Sequence, residues 1–425
     1  MSIQVPKWER KIAEFFPRWF EGRLKARIRS FRMEAAVQSR LRSSASGTNQ
    51  NPESSTAQRD RIQTMWEGRD LAENSPLCKS ILDKVELYAF GKILYQPHVG
   101  DPSVDAEYSD FIKERSKRVN LRDNMSLRKF VQMLYRSAMR DGDIGIQPVS
   151  VDGRILMNPI EADRIGNPQA TKTYSKSYVS GLYLDQYGRI DKVEVYERTD
   201  SGVYTNPQLI PGNQFWHIPF FNRFDQWRGV TAFYAVITRL RDFAETFGCE
   251  VSAVKWASSI AGLITKKAGL ALQDEEDYYV SAQSSIAPEA AAERLRTVQP
   301  GTIEYLEEGD GFTQFINQRP AAAWQGFLQM MIREIATGTR LPYSFCYDSS
   351  AVQGTALRLD SQQAKRTFQD IQQTAEEQFL NEWVQVQLAD GIVKKEIPPH
   401  ANWKRGTWRY GAHPTVDIGR ESQAN

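Results

Sequence analysis

Apolar side chains recur along this chain in two rhythms, and the change from one to the other divides it. From Arg59 to Gly91 the spacing is helical, and Lys129 to Met139 repeats it with Phe130, Met133, Leu134 and Ala138 on one face. Beyond Gly142 the period shortens. Runs at Ile144 to Val149, Gly181 to Leu184, Val193 to Tyr196 and Phe215 to Ile218 are separated by Asp152-Gly153, Tyr187-Gly188 and Ser201-Gly202. That pattern predicts antiparallel strands joined by tight turns. No strand-helix alternation with glycine-rich turns is present, so the expected class is α+β.

Three long helices are predicted in the second half. Val230, Phe233, Ile237, Leu240, Ala244, Phe247, Val251 and Val254 form a heptad-like stripe. A helix over Val230 to Ser258 would be about 43 Å long. Ala321 to Thr337 follows with Trp324, Phe327, Leu328, Met331 and Ile335 on one side. Ala356 to Leu388 is the third, its face formed by Leu357, Ala364, Phe368, Ile371, Ala375, Phe379, Trp383 and Val386. Between the first two lies an acid-rich insert, Gly269 to Gly311. Its ten acids, Asp274, Glu275, Glu276, Asp277, Glu289, Glu293, Glu304, Glu307, Glu308 and Asp310, face only Arg294 and Arg296. The insert reads as a charged lobe carried on two helical legs.

Charge is local, not global. The 425 residues carry a net charge of +2, which excludes a surface that grips nucleic acid everywhere. Residues 1–42 nevertheless hold eleven Lys and Arg against four acids, and Trp8, Ile12, Phe15, Phe16, Trp19 and Phe20 recur at helical intervals. This basic arm reads either as an amphipathic helix for a partner or as a helix packed on its own body. Residues 43–58 are small and polar and are expected to be a linker. Cys78, Cys249 and Cys346 are widely spaced and odd in number, which fits a reducing compartment. Neither a signal peptide nor a membrane span is expected.

Chemistry is sparse. There is no phosphate loop, dinucleotide turn, HExxH, GxSxG or kinase signature. None of the four histidines, His98, His217, His400 and His413, is paired at metal spacing. His217, in an apolar run, is expected to be a hydrogen-bonded core residue. Asp141 and Asp143 lie two apart in Arg140-Asp141-Gly142-Asp143; a divalent metal needs more oxygen ligands, and a helix end turning into a strand is the simpler reading. No catalytic residue, metal or cofactor is expected. Two other readings stay open: a metal-dependent nucleic-acid-processing enzyme using those carboxylates, and a DNA-binding adaptor using the basic arm.

Several short motifs follow one another along the chain: Arg69 to Pro76 (RDLAENSP), Arg140 to Gly145 (RDGDIG), Asn158 to Ile165, His217, Arg228-Gly229-Val230, the glycine-spaced Gly301, Ile303, Leu306 and Gly309, Ile335 to Tyr343 (IATGTRLPY), Asp348 to Arg358, and Pro414 to Glu421. In this order they resemble the lambda-type portal proteins of tailed bacteriophages. Val352-Gln353-Gly354-Thr355 departs from the family's Asn-Tyr-Ser run.

The resemblance implies a portal fold: residues 59–228 as an α+β wing, 229–260 and 320–338 as two stem helices, 261–319 as an acidic clip and 339–355 as a tunnel loop. It further implies a long wing helix at 356–390 and the start of a crown or a tail at 391–425. It implies a homo-oligomeric ring, usually of about twelve copies. Its partners would be double-stranded DNA in the channel, a terminase packaging motor, a major capsid or scaffold protein and a tail adaptor, with no membrane. The location implied is the virion, after assembly in the host cytoplasm. Tunnel-loop candidates are Arg340, Tyr343, Phe345, Tyr347, Asp348, Gln353 and Arg358. Asp274, Glu275, Glu276, Asp277, Glu304, Glu307, Glu308 and Asp310 are candidates for the clip's partner surface. For packing between subunits along the stem they are Val230, Phe233, Ile237, Leu240, Trp324, Phe327 and Met331, with Trp216 and Trp227 as further contributors.

Overall fold

The computed structural model describes residues 58–169, 174–175, 177–259, 262–266, 310–314, 322–347 and 355–411, all within the unit Thr56–Asn425. The basic arm, the linker up to residue 57, Asp274 to Asp277, Glu304, Glu307, Glu308, Asp348, Gln353 and the motif at 414–421 lie outside the described residues.

The chain begins with helices α1 (Gln58–Asn74) and α2 (Pro76–Phe90), then strand β1 (Ile93–Pro97), α3 (Pro102–Arg115) and α4 (Leu127–Asp141). Local chemistry starts α2 and α3: Ser75 and Asp101 cap their first backbone N–H groups, and Pro76 and Pro102 occupy first-turn positions that need no donor. Helix α4 buries Phe130, Val131, Leu134, Tyr135 and Ala138 at helical spacing.

Strands β2 (Asp143–Val151), β3 (Arg154–Glu161), β4 (Tyr174–Ser175), β5 (Tyr178–Val179), β6 (Leu182–Leu184), β7 (Ile190–Arg198), β8 (Tyr204–Pro211) and β9 (Trp216–Pro219) follow. They form two antiparallel sheets, a three-stranded one in the order β3-β2-β9 and a five-stranded one in the order β4 to β8. The expected α+β class and its hairpins are found.

Then come α5 (Ile237–Ser259), the paired strands β10 (Gly262–Lys266) and β11 (Asp310–Gln314), α6 (Ala322–Gly338) and the single turn α7 (Tyr343–Cys346). The long helix that follows is α8 (Thr355–Ala375), a π-helical turn at Glu376–Leu380 and α9 (Asn381–Val393); β12 (Gly406–Tyr410) pairs back onto β1. The interruption lies at the best-packed point of that helix. Phe379, Leu380 and Trp383 are buried there, and the Phe379 ring meets Phe130 at 5.6 Å and Trp216 at 6.1 Å.

The first long helix begins later than the apolar stripe predicts, at Ile237 instead of Val230. Thr231 is the cause. Its hydroxyl donates to the Met139 carbonyl at 3.1 Å and accepts from the Phe233 N–H, so residues 232–236 form turns before the helix. Phe233 is buried all the same, because a tight turn keeps an apolar residue on the same side as a helix does.

Two main apolar cores result among the described residues, beside a small cluster of Ile62, Met65 and Ala162. The large one joins α2, α4, α8, α9 and the near ends of α5 and α6; the smaller one lies on the five-stranded sheet, around Ile165, Val179, Leu182, Val193, Val195 and Ile210. Between them, Gly142 passes against Gly229 with φ +103, where a Cβ would stand 2.7 Å from the Val230 carbonyl carbon. Gly142→Ala is expected to cost at least about 2 kcal/mol. Thermal unfolding of the full chain would read this as a midpoint several degrees lower; an unchanged midpoint would contradict the close approach.

Candidate functional site

Residues of five of the scattered motifs, at Arg69, Asp141 and Asp143, Ala162 to Ile165, His217 and Arg228, converge on two buried ionic clusters where the sheets meet. Asp143 opens β2 directly after Gly142 ends α4, and neither its side chain nor that of Arg228 is exposed. The Arg228 Nε donates to Asp143 Oδ2 at 2.6 Å and Nη2 donates to Oδ1 at 3.0 Å. The other guanidinium hydrogens reach the carbonyls of Ile165 (2.8 Å), Ala162 (2.9 Å) and Ser180. Asp143 also accepts from the Gly229 N–H at 3.1 Å and shares a hydrogen bond with His217 Nε2 at 3.2 Å. Only a planar fork of five donors can serve a carboxylate and three diverging carbonyls at once.

The second cluster lies beside the first. Arg69 of α1 donates to Asp141 at 2.7 and 3.1 Å and to Asp163 at 2.8 Å; Asp163 also accepts from Tyr204 (2.8 Å) and Arg198 (3.0 Å). Arg140 folds onto Asp141 as well. Burial opposes ionisation of Asp143, yet Arg228 and His217 hold its carboxyl far below the usual range. Asp163 is likewise lowered, burial being outweighed by Arg69, Tyr204 and Arg198.

This arrangement answers the metal-enzyme reading of Asp141 and Asp143. Arginines already engage both carboxylates, and a cation there would meet guanidinium groups. Among the described residues no group of three or more His, Cys, Asp or Glu could hold a metal ion, and no helix is long and apolar enough to cross a membrane.

The tunnel-loop candidates are held at their start by the body of the protein. Arg340 has φ +62, its carbonyl accepts from Thr367 Oγ1 at 2.9 Å and its guanidinium meets Asp370 at 3.3 Å. Phe345 packs its ring on Tyr88 and Phe368, and Lys84 donates to its carbonyl. Tyr343 lies under Arg333 and beside Tyr347, which is exposed. Arg358 is exposed on α8.

The stem candidates divide sharply. Phe233, Ile237, Leu240 and Met331, on or beside the near ends of α5 and α6, are buried within the chain itself. Val230 is half-buried, and so is Trp324, which packs against Phe327. Farther along the legs the faces open, with Phe327 48%, Met330 69% and Phe247 49% exposed, and Val251 and Ala244 beside them. Trp216 packs on Phe379 and Trp227 donates to the Gly188 carbonyl at 2.9 Å, so both serve the fold. Asp310 begins β11, paired with Lys266. Sequence reasoning missed Arg228, quoted only as part of a motif, and the meeting of Arg69 with Asp163; neither residue type nor spacing signals a buried arginine.

A family model described as phage portal protein, lambda family, matches residues 38–372. Among solved structures, a chain from the virion of a native gene transfer agent particle superposes with a TM-score of 0.51 at 14% identity, covering 83% of this chain and 90% of that one. A chain from the neck of an empty particle of that kind gives 0.48 at 14% identity, covering 86% and 88%. No curated protein matches the sequence.

Because the folded-state Asp143 carboxyl is held below its ordinary value, its stabilising effect is complete above about pH 4 and is lost as pH falls toward the folded-state value. Asp143→Asn is therefore expected to cost about 3–5 kcal/mol at pH 7, by leaving Arg228 buried without its counter-charge. The deficit should shrink as the wild type is acidified below pH 4. Melting curves at pH 7 and pH 3 test this, and Arg228→Lys should fail to restore stability although it keeps the charge.

Proposed function

The chain belongs to the lambda family of phage portal proteins, and we propose that it works as one subunit of a closed ring of about twelve copies. The ring would surround a DNA channel at one capsid vertex and serve packaging, retention and ejection of the genome. Its members are structural parts, and the work of packaging falls to a separate terminase motor. Major capsid or scaffold protein and a tail adaptor would be the other partners, and the virion the location.

The observation that carries this reading is the pair of legs. Helices α5 and α6 are buried at their near ends and joined across by Arg239 and Glu334 at 3.0 Å, while Arg241 ties α5 to Glu67 and Asp70 of α1. Beyond that anchorage both expose apolar side chains, Phe247 and Val251 on α5 and Phe327 and Met330 on α6. Exposed apolar patches of this kind mark protein contacts. A ring needs each subunit to show one face to its left and another to its right, and two legs side by side provide two such faces.

In the same proposal, the acidic insert is the clip, facing the motor and then the tail adaptor by charge complementarity. Residues 339–355 are the tunnel loop: lacking Lys and Arg after Arg340, it guides DNA sterically and does not grip the phosphates. The wing is residues 59–228 and the long wing helix residues 356–390.

Native mass spectrometry and electron microscopy of the purified chain test the reading. A ring with an axial hole is expected, and a monomer at all concentrations and salt conditions would overturn it. The double substitution Phe247→Glu and Phe327→Glu should convert rings to monomers and leave the melting midpoint of the subunit nearly unchanged, since both side chains are half-exposed already.

A further inference from the structure

One cleft of the described body is unrelated to the legs, the clip or the loop. It opens between α4, the segment 120–125 and the outer end of β3, with a volume of about 440 Å³. The geometry points to this cleft as a docking site for a peptide segment of another protein that carries both acidic and apolar side chains.

Three guanidinium groups line it, those of Arg122, Arg164 and Arg198. Arg122 has no hydrogen-bond or ion-pair partner among the described residues. Arg164 uses only its Nε, which donates to the Tyr196 carbonyl at 2.9 Å, so its forked end is open. Arg198 is already paired, with Asp163 at 3.0 Å and with Glu161 of the cleft. Glu161 faces Arg198 at 3.4 Å and Arg69 at 3.6 Å, and Asp123 accepts from the Met125 N–H at 2.9 Å. What the cleft offers a partner is therefore two open guanidinium groups, those of Arg122 and Arg164, in a forked geometry suited to carboxylates.

The opposite wall is apolar. Met133 is 44% exposed on a helix that buries most of its other apolar residues, and Met125 and Pro159 stand half-buried beside it. At the floor, the buried Asn120 side chain keeps its carbonyl oxygen without a donor. Thioether side chains adapt to varied apolar partners, and the volume suits a few side chains of a peptide. Duplex DNA would use the arginines and leave the methionine wall wet, so the observations favour a peptide. The proposal does not depend on ring formation.

The test pans a displayed random dodecapeptide library on the full-length protein, with counter-selection on Arg122→Glu. Enriched sequences should combine Asp or Glu with Leu, Ile or Met. A fluorescently labelled enriched peptide should lose at least about tenfold in affinity with either Arg122→Glu or Met133→Glu. It should bind Lys113→Glu, altered outside the cleft, as it binds the wild type. The proposal is overturned if no peptide depends on both Arg122 and Met133. It is equally overturned if a labelled 20-base-pair duplex binds in a manner weakened by Arg122→Glu and indifferent to Met133→Glu.

Discussion

The ion pair between Asp143 and Arg228 is the constraint on which the rest of the molecule depends. A buried arginine is tolerated only when its charge and its donors are all answered. Here the answers come from β2, from the backbone of residues 162 and 165, and from the Ser180 corner of the five-stranded sheet. One side chain thereby fixes the two apolar cores at a set separation and orientation. It also fixes the chain that follows it: Gly229 donates to the same carboxylate, and Thr231 is bonded to the end of α4. The direction in which α5 leaves the body is set within a few residues of Arg228. Arg69 and Asp163 reinforce the junction from α1, so the first described helix is locked to the same point.

That anchorage explains how the legs combine firmness with exposure. Ile237, Leu240, Ile332 and Ile335 lie in the large core, whereas Phe247 and Val251 on α5 and Phe327 and Met330 on α6 are exposed. The same division holds where the chain leaves α6. Arg340 turns in the left-handed region, Leu341 and Cys346 are buried, and Phe345 is held between Tyr88 and Phe368, so the following segment departs from a fixed base.

Much of the architecture was legible in the sequence, for reasons that particular residues make plain. Phe130, Leu134 and Ala138 report a helix because their spacing matches its turn, and Asp152-Gly153 reports a hairpin because that turn needs positive φ, found at both residues. His217 and the Arg140 to Asp143 corner also read correctly, as a hydrogen-bonded core residue and a helix end turning into a strand. The start of α5 did not. Periodicity marks which side chains are buried, and Val230 and Phe233 keep that rhythm through turns whose hydrogen bonds Thr231 has diverted. Nor could the stripe distinguish a residue covered by its own chain, such as Leu240, from one left open, such as Phe247. That distinction depends on where α1, α2 and α8 lie in space. Arg228 was hidden for the same reason: its partners are 48 to 85 residues away along the chain.

The open seam on the legs also bears on how such subunits come together. Apolar surface leaving water is driven near room temperature mainly by the entropy of the released solvent, with little heat. An assembly closed by Phe247, Val251, Phe327 and Met330 would thus be knit by an entropic force that weakens in the cold. Cooling would therefore loosen the contacts between copies, so the ring would be weakest in the cold.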